Sequence, residues 1–179
     1  MSKQETQDKI LEAAAGIVQS DGILDLTLEG TAKRAGISKG GLLYHFPSKD
    51  ALIGGMIQHL MQRYKDFINQ EASDDPSQQG KWTRSFIKGT FQQSSADESM
   101  DAGLMAAAGI NPDLLKPVQE AYQGWQSNIE HDGLEPVNAT ILRLAVDGLW
   151  FSEIFGLAPL NETRRQRVLE RLIQLTREE

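Results

Sequence analysis

A hydroxyl, a cation and two residues without side chains stand in a row at Ser38, Lys39, Gly40 and Gly41, with Tyr44 and His45 one helical turn further on and Lys49 beyond them. If Ser38 caps a short helix, that helix begins with exposed N–H groups, a positive dipole end and a Lys, a set of donors suited to phosphate oxygens and base edges. The preceding Ala35-Gly36-Ile37 is a compact turn in which Gly permits a left-handed backbone, and a short helix on each side of it gives helix-turn-helix geometry, in which the second helix enters the DNA major groove. Catalytic and metal chemistry have less to stand on. The three His are scattered, with no second ligand at metal spacing on one helix face, so no metal and no cofactor are expected. Neither a nucleophile elbow, a paired-His motif nor a phosphate loop is read, so the chain is not read as an enzyme.

The elements that must position these residues follow from apolar periodicity and caps. Ile10, Leu11, Ala14, Ile17 and Val18 form one stripe of a first helix that stops at Asp21-Gly22. Thr27 caps a second helix with Leu28, Ala32 and Ala35 inward and Gly36 at its end; Ile37 is the buried turn residue; Ser38 caps a third, 39–45, closed by Phe46-Pro47. Ser48 caps a fourth helix whose stripe runs from Leu52 to Ile68, roughly 22 residues or about 33 Å. Residues 71–80 read as a loop. Five further helices are predicted: 81–94; one opened by a Ser95/Glu98 capping box and ending at Gly109; one from Asn111-Pro112 to Gly133; one from Pro136 to Gly156; and 162–177 behind the cap Asn161. No segment alternates at period 2, so the fold class is all-α, about nine helices, with an N-terminal three-helix head and a C-terminal helical body.

Composition narrows the setting. With 179 residues, 40% apolar and 24% charged, the chain is long enough for a sizeable core. No apolar run reaches membrane-spanning length, and the N-terminus leads into an amphipathic pattern, which reads as cytoplasmic with no membrane partner. The absence of Cys excludes disulfides and thiolate sites. A net charge of −7 argues against a nucleic-acid binder, because phosphate neutralisation is the general source of DNA affinity. Its distribution softens that objection: residues 1–50 carry six Lys or Arg against seven Asp or Glu, and residues 51–179 carry twelve against eighteen.

The string LTLEGTAKRAGISKGGLLYHFPSKDAL, residues 26–52, resembles the signature of the tetracycline-repressor (TetR) family of transcriptional regulators. Cap, turn, the Gly after Lys39 and the Phe-Pro-Ser-Lys exit all fall in register. The resemblance implies a homodimer with two DNA-binding heads (4–50) and ligand-binding, dimerising bodies (51–179), a repressor released from double-stranded operator DNA by a small-molecule effector. Thr27 and Lys49 are then expected at phosphates, with Ser38, Lys39, Gly40, Gly41, Tyr44 and His45 lining the groove surface. Thr31, Gly41 and Leu43 stand where the family commonly has Ile or Val, Thr, and Tyr. Two alternatives remain at this point: a sequence-tolerant DNA binder that senses nothing, and a helical small-molecule-binding protein that does not bind DNA.

In the body, Phe86, Met105, Tyr122, Trp125 and Trp150 are candidates to line an apolar ligand pocket, with Asp147 as a polar anchor; core packing accounts for the same residues equally well. Ile141, Leu144, Ala145, Gly148, Leu149 and Ser152 share one face of the penultimate helix, and Val168, Leu169, Leu172 and Ile173 one face of the last; both suit a four-helix interface across a two-fold axis, which the family resemblance favours, and packing within the chain would use the same faces. Gly54-Gly55 inside the fourth helix costs about 1 kcal/mol per Gly relative to Ala. Close packing against the first helix is the plain explanation, and a softened helix that transmits the ligand's effect is the sharper one.

Overall fold

The computed structural model describes residues 2–92 and 95–178, without the side chains of 95–100 and 102. Among the described residues there are nine α-helices, two 3-10 turns and no strand: α1 (Lys3–Asp21), α2 (Leu28–Ala35), α3 (Lys39–His45), α4 (Lys49–Asp74), α5 (Lys81–Phe91), α6 (Ser95–Ile110), α7 (Lys116–Glu130), α8 (Pro136–Ile154) and α9 (Glu162–Leu175), with 3-10 turns at Ile23–Asp25 and Pro112–Leu115. None of these helices is long and apolar enough to cross a membrane. The chain forms two compact units, one of residues 1–61 and 95–118, the other of 62–94 and 119–179.

Local chemistry sets most helix starts in the first unit. Ser2 and Glu5 form a reciprocal capping box at α1. The hydroxyls of Thr27, Ser38 and Ser48 accept from the N–H groups of Gly30, Gly41 and Ala51, each at 3.0 Å, which satisfies donors that a helix start otherwise leaves bare. Gly36, at φ +64°, ends α2 in the left-handed region, and the Ile37 N–H reaches back to the Ala32 carbonyl. Ile37 is half-buried, not buried as its turn position suggests. The core of this unit gathers Ile10, Leu11, Ala14, Ile17 and Val18 with Leu26, Ala32, Ala35, Leu42, Phe46, Leu52 and Ile53. Helix α6 joins it: a Cβ on Gly103 would lie 3.0 Å from Val18 and 3.3 Å from Ile23.

Helix α5 is central to the second unit, burying Phe86 and Ile87 and packing on α8 and α9. Its N-terminus is capped from far along the chain: the buried Asp132 carboxylate accepts from the Trp82 and Thr83 N–H groups at 3.1 and 2.8 Å. Arg84 is buried too, ion-paired to Asp75 at 2.7 Å and hydrogen-bonded to the Ser77 and Gln79 carbonyls and the Thr176 hydroxyl.

Several expected boundaries move. Helix α4 continues to Asp74, so the loop behind it is confined to 75–80. The helix expected from Asn111-Pro112 is a 3-10 turn followed by α7. Helix α8 stops at Ile154 and α9 at Leu175. The Ser95/Glu98 capping box and the expected end at Ser94 lie outside the described residues. Gly54 and Gly55 do not face the first helix. A Cβ on Gly54 would lie 3.6 Å from Leu114, and one on Gly55 would lie 2.5 Å from the ring of Phe46.

Candidate nucleic-acid interface

Helix α3 has an inner and an outer side. Leu42 is fully buried, and Phe46, whose N–H bonds to the Leu42 carbonyl at 2.8 Å, is buried as well, so the helix is seated from its middle and its C-terminal end. Lys39, Gly40, Leu43 and Tyr44 share the opposite side, as residues spaced one, three and four apart on a helix do, and all four are exposed. Tyr44 is 73% exposed. The Lys3 ammonium, from the first turn of α1, sits 5.6 Å from the Tyr44 ring centroid, within cation–π range, and the His45 ring meets Tyr44 edge-on at 5.2 Å. Lys39 lies 3.7 Å from Glu29, both largely in solvent. Such an exposed pair contributes little, so the Lys39 ammonium is readily exchanged to another anion.

The sequence-derived contact residues are not equivalent. Lys39, Gly40, Gly41 and Tyr44 fall on or beside the outer side of α3, and Ser38 and Thr27 are exposed caps whose hydroxyls already accept backbone N–H groups. His45 is half-buried, and its Nδ1 is enclosed without a hydrogen-bond partner. Lys49 donates to the carbonyls of Ile23 at 3.2 Å and Leu24 at 3.4 Å, pinning the 3-10 turn to the start of α4. The letters of a nucleophile elbow, which sequence reasoning missed, are in fact present as Gly-Ile-Ser-Lys-Gly at residues 36–40. An elbow needs a strand before the Ser, whereas α2 precedes Ser38 and the hydroxyl is engaged as a cap.

In the second unit, Phe86, Tyr122 and Trp125 form an edge-to-face trio with centroids 5.2 to 6.1 Å apart. The Tyr122 hydroxyl donates to Asp147 at 3.0 Å, and Arg143 pairs with Asp147 while donating to Gln126 at 2.6 Å. Burial raises the Asp147 carboxyl above its ordinary value; the Arg143 charge and the Tyr122 hydrogen bond oppose that rise. Trp150, half-buried, lies on the same helix as Asp147, whereas Met105 belongs to the other unit. Sequence reasoning missed Arg143, although its spacing four residues before Asp147 on a helix was a usable signal.

Along α8, Ile141 and Leu144 are 56% and 54% exposed, Ala145 is exposed, and a Cβ on Gly148 would meet nothing within 4 Å. Phe151 and Phe155 extend the apolar face with rings 4.7 Å apart. Ser152, Val168, Leu169 and Ile173 are half-buried. Leu149 and Leu172 face inward and are buried in their own unit.

A three-helix head that seats one short helix from behind and leaves its outer side clear is the arrangement of helix-turn-helix DNA-binding transcriptional regulators. Residues 10–56 match the family model described as bacterial regulatory proteins, tetR family, and residues 80–177 match that of the tetracyclin repressor-like C-terminal domain. The chain belongs to the TetR family. It is 31% identical to the HTH-type transcriptional regulator LmrA of Bacillus subtilis, covering 73% of this chain and 72% of that protein. It is 25% identical to the HTH-type transcriptional regulator BetI of Stenotrophomonas maltophilia over 90% of this chain and 88% of that one. Its fold is similar to that of a TetR-family member from Streptomyces coelicolor A3, with a TM-score of 0.69 at 22% identity over 94% and 98% of the two chains.

Proposed function

We propose that this regulator acts in the cytoplasm as a homodimeric repressor that sets the outer side of α3 into the major groove of each half of a pseudo-palindromic operator. The observation that carries this reading is the division of α3 into a buried Leu42 and an outward Lys39, Gly40 and Tyr44. Lys39 leaves a weak surface pair for a phosphate, and the bare backbone at Gly40 allows close approach. Thr27, Ser38, Gly41 and His45 border that surface. Lys49 acts first on the Ile23 and Leu24 carbonyls, so its contribution to DNA binding is to hold the head together as much as to meet a phosphate.

Residues 4–50 then form the DNA-binding part and 51–179 the ligand-binding and dimerising part. The exposed stripe of α8, with the half-buried residues of α9, meets its counterpart in a second copy. Phe86, Tyr122, Trp125 and Trp150 offer an apolar effector its contact surface, with Asp147 and Arg143 at its polar end. Near-complete switching requires the effector to favour the released state by about 5.5 kcal/mol.

A gel-shift assay on sheared genomic DNA at rising salt tests the reading. A few fragments retained at physiological salt, with Lys39→Ala weakening their retention, is the expected result. Equal retention of every fragment favours a binder without sequence preference, and no retention contradicts DNA binding altogether.

A further inference from the structure

Leu43 is an unusual occupant of the outer side of α3. It is 38% exposed, beside a neighbour, Leu42, that is wholly buried, so its exposure is a property of its position on the helix and not of a loosely packed segment. One turn back along the same side lie Lys39 and Gly40, and a Cβ built on Gly40 meets nothing within 4 Å. No side chain at position 40 stands between Leu43 and whatever approaches the helix. Tyr44 beside it lies 5.6 Å from the Lys3 ammonium and meets the His45 ring edge-on. An apolar side chain on a groove-facing surface gains from burial only against apolar atoms. In the major groove, the thymine C5-methyl is the apolar group among base-edge donors and acceptors.

We infer that Leu43 is a specificity-determining residue that reads a thymine methyl in each operator half-site through the gap left by Gly40. The inference rests on the proposed docking of α3. It assigns Leu43 a chemistry different from that of its neighbours: Lys39 and Tyr44 offer donors, whereas Leu43 discriminates by covering a methyl that cytosine lacks at the same place. Burying one methyl group corresponds to about 0.8 kcal/mol, or roughly a fourfold change in affinity per half-site.

The test replaces each thymine of a selected operator in turn by deoxyuridine, which keeps base pairing and removes only the methyl. Full-length wild-type protein, Leu43→Ala and Leu43→Met are titrated against each duplex. The expected outcome is one symmetry-related thymine pair whose replacement weakens wild-type and L43M binding by roughly fourfold per half-site and leaves L43A unaffected. If no thymine is sensitive, or if the sensitivity persists in L43A, the inference is overturned while operator binding stands. If random-pool selection with wild-type protein enriches no duplex, the docking of α3 itself fails, and the inference with it.

Discussion

Arg84 carries its charge into the interior of the second unit, where 2% of its side chain and 7% of the Asp75 side chain reach solvent. Two nitrogens meet the Asp75 carboxylate, and further hydrogen bonds run to the Ser77 and Gln79 carbonyls, so this one side chain organises the whole 75–80 connection as well as the Thr176 end of α9. The hydrogen bond from Arg84 holds the Asp75 carboxyl below its ordinary value, against the opposing effect of burial. A lowered value in the folded state means that the pair stabilises fully above the usual carboxylate range of about 4. That stability is lost as the pH falls through Asp75's own, lower value. Removing one partner strands the other charge, at a cost of about 3–5 kcal/mol. Asp75→Asn is therefore expected to lower stability to denaturant by that order at pH 7, with the gap to wild type closing below about pH 4; a gap independent of pH contradicts the assignment. Nothing in the sequence singled out Arg84, because its partners are Asp75, at no helical spacing from it, two loop carbonyls, and the Thr176 cap behind α9, 92 positions away.

The adjacent Gly54 and Gly55 of α4 make a prediction of opposite signs at the scale of elements. A Cβ at 54 enters ordinary contact with Leu114, so Gly54→Ala is expected to stabilise by up to about 1 kcal/mol through helix propensity. A Cβ at 55 would overlap the buried Phe46 ring, which closes α3, so Gly55→Ala is expected to destabilise by about 1–3 kcal/mol. Denaturation midpoints of the two variants decide it, and stabilisation by both would show that Phe46 yields freely. Helix starts were legible at Thr27, Ser38, Ser48 and Asn161 because a cap and its N–H lie within three residues. The Asp132 cap of α5 spans about 50 residues, and the membership of α6 in the first unit comes from its packing on α1 and on the two 3-10 turns; neither leaves a local trace. Periodicity likewise marked the apolar face of α8 but could not tell Leu149, which its own unit buries, from Leu144, which it leaves outside.

At the scale of the whole molecule, a protein of net charge −7 must present its DNA-facing residues against an unfavourable overall field. One head with few cations offers little affinity, and pairing two heads doubles the contacts without new chemistry. In the proposed homodimer, the exposed Ile141, Leu144, Ala145 and Gly148 are the surface that makes that pairing. The most direct measurement is hydroxyl-radical footprinting on a retained genomic fragment. The account predicts two protected patches related by two-fold symmetry, their centres one helical turn of about 34 Å, or a whole multiple of it, apart, with Leu144→Arg abolishing the paired pattern. A single unsymmetrical patch, or a paired footprint that Leu144→Arg leaves intact, would contradict it.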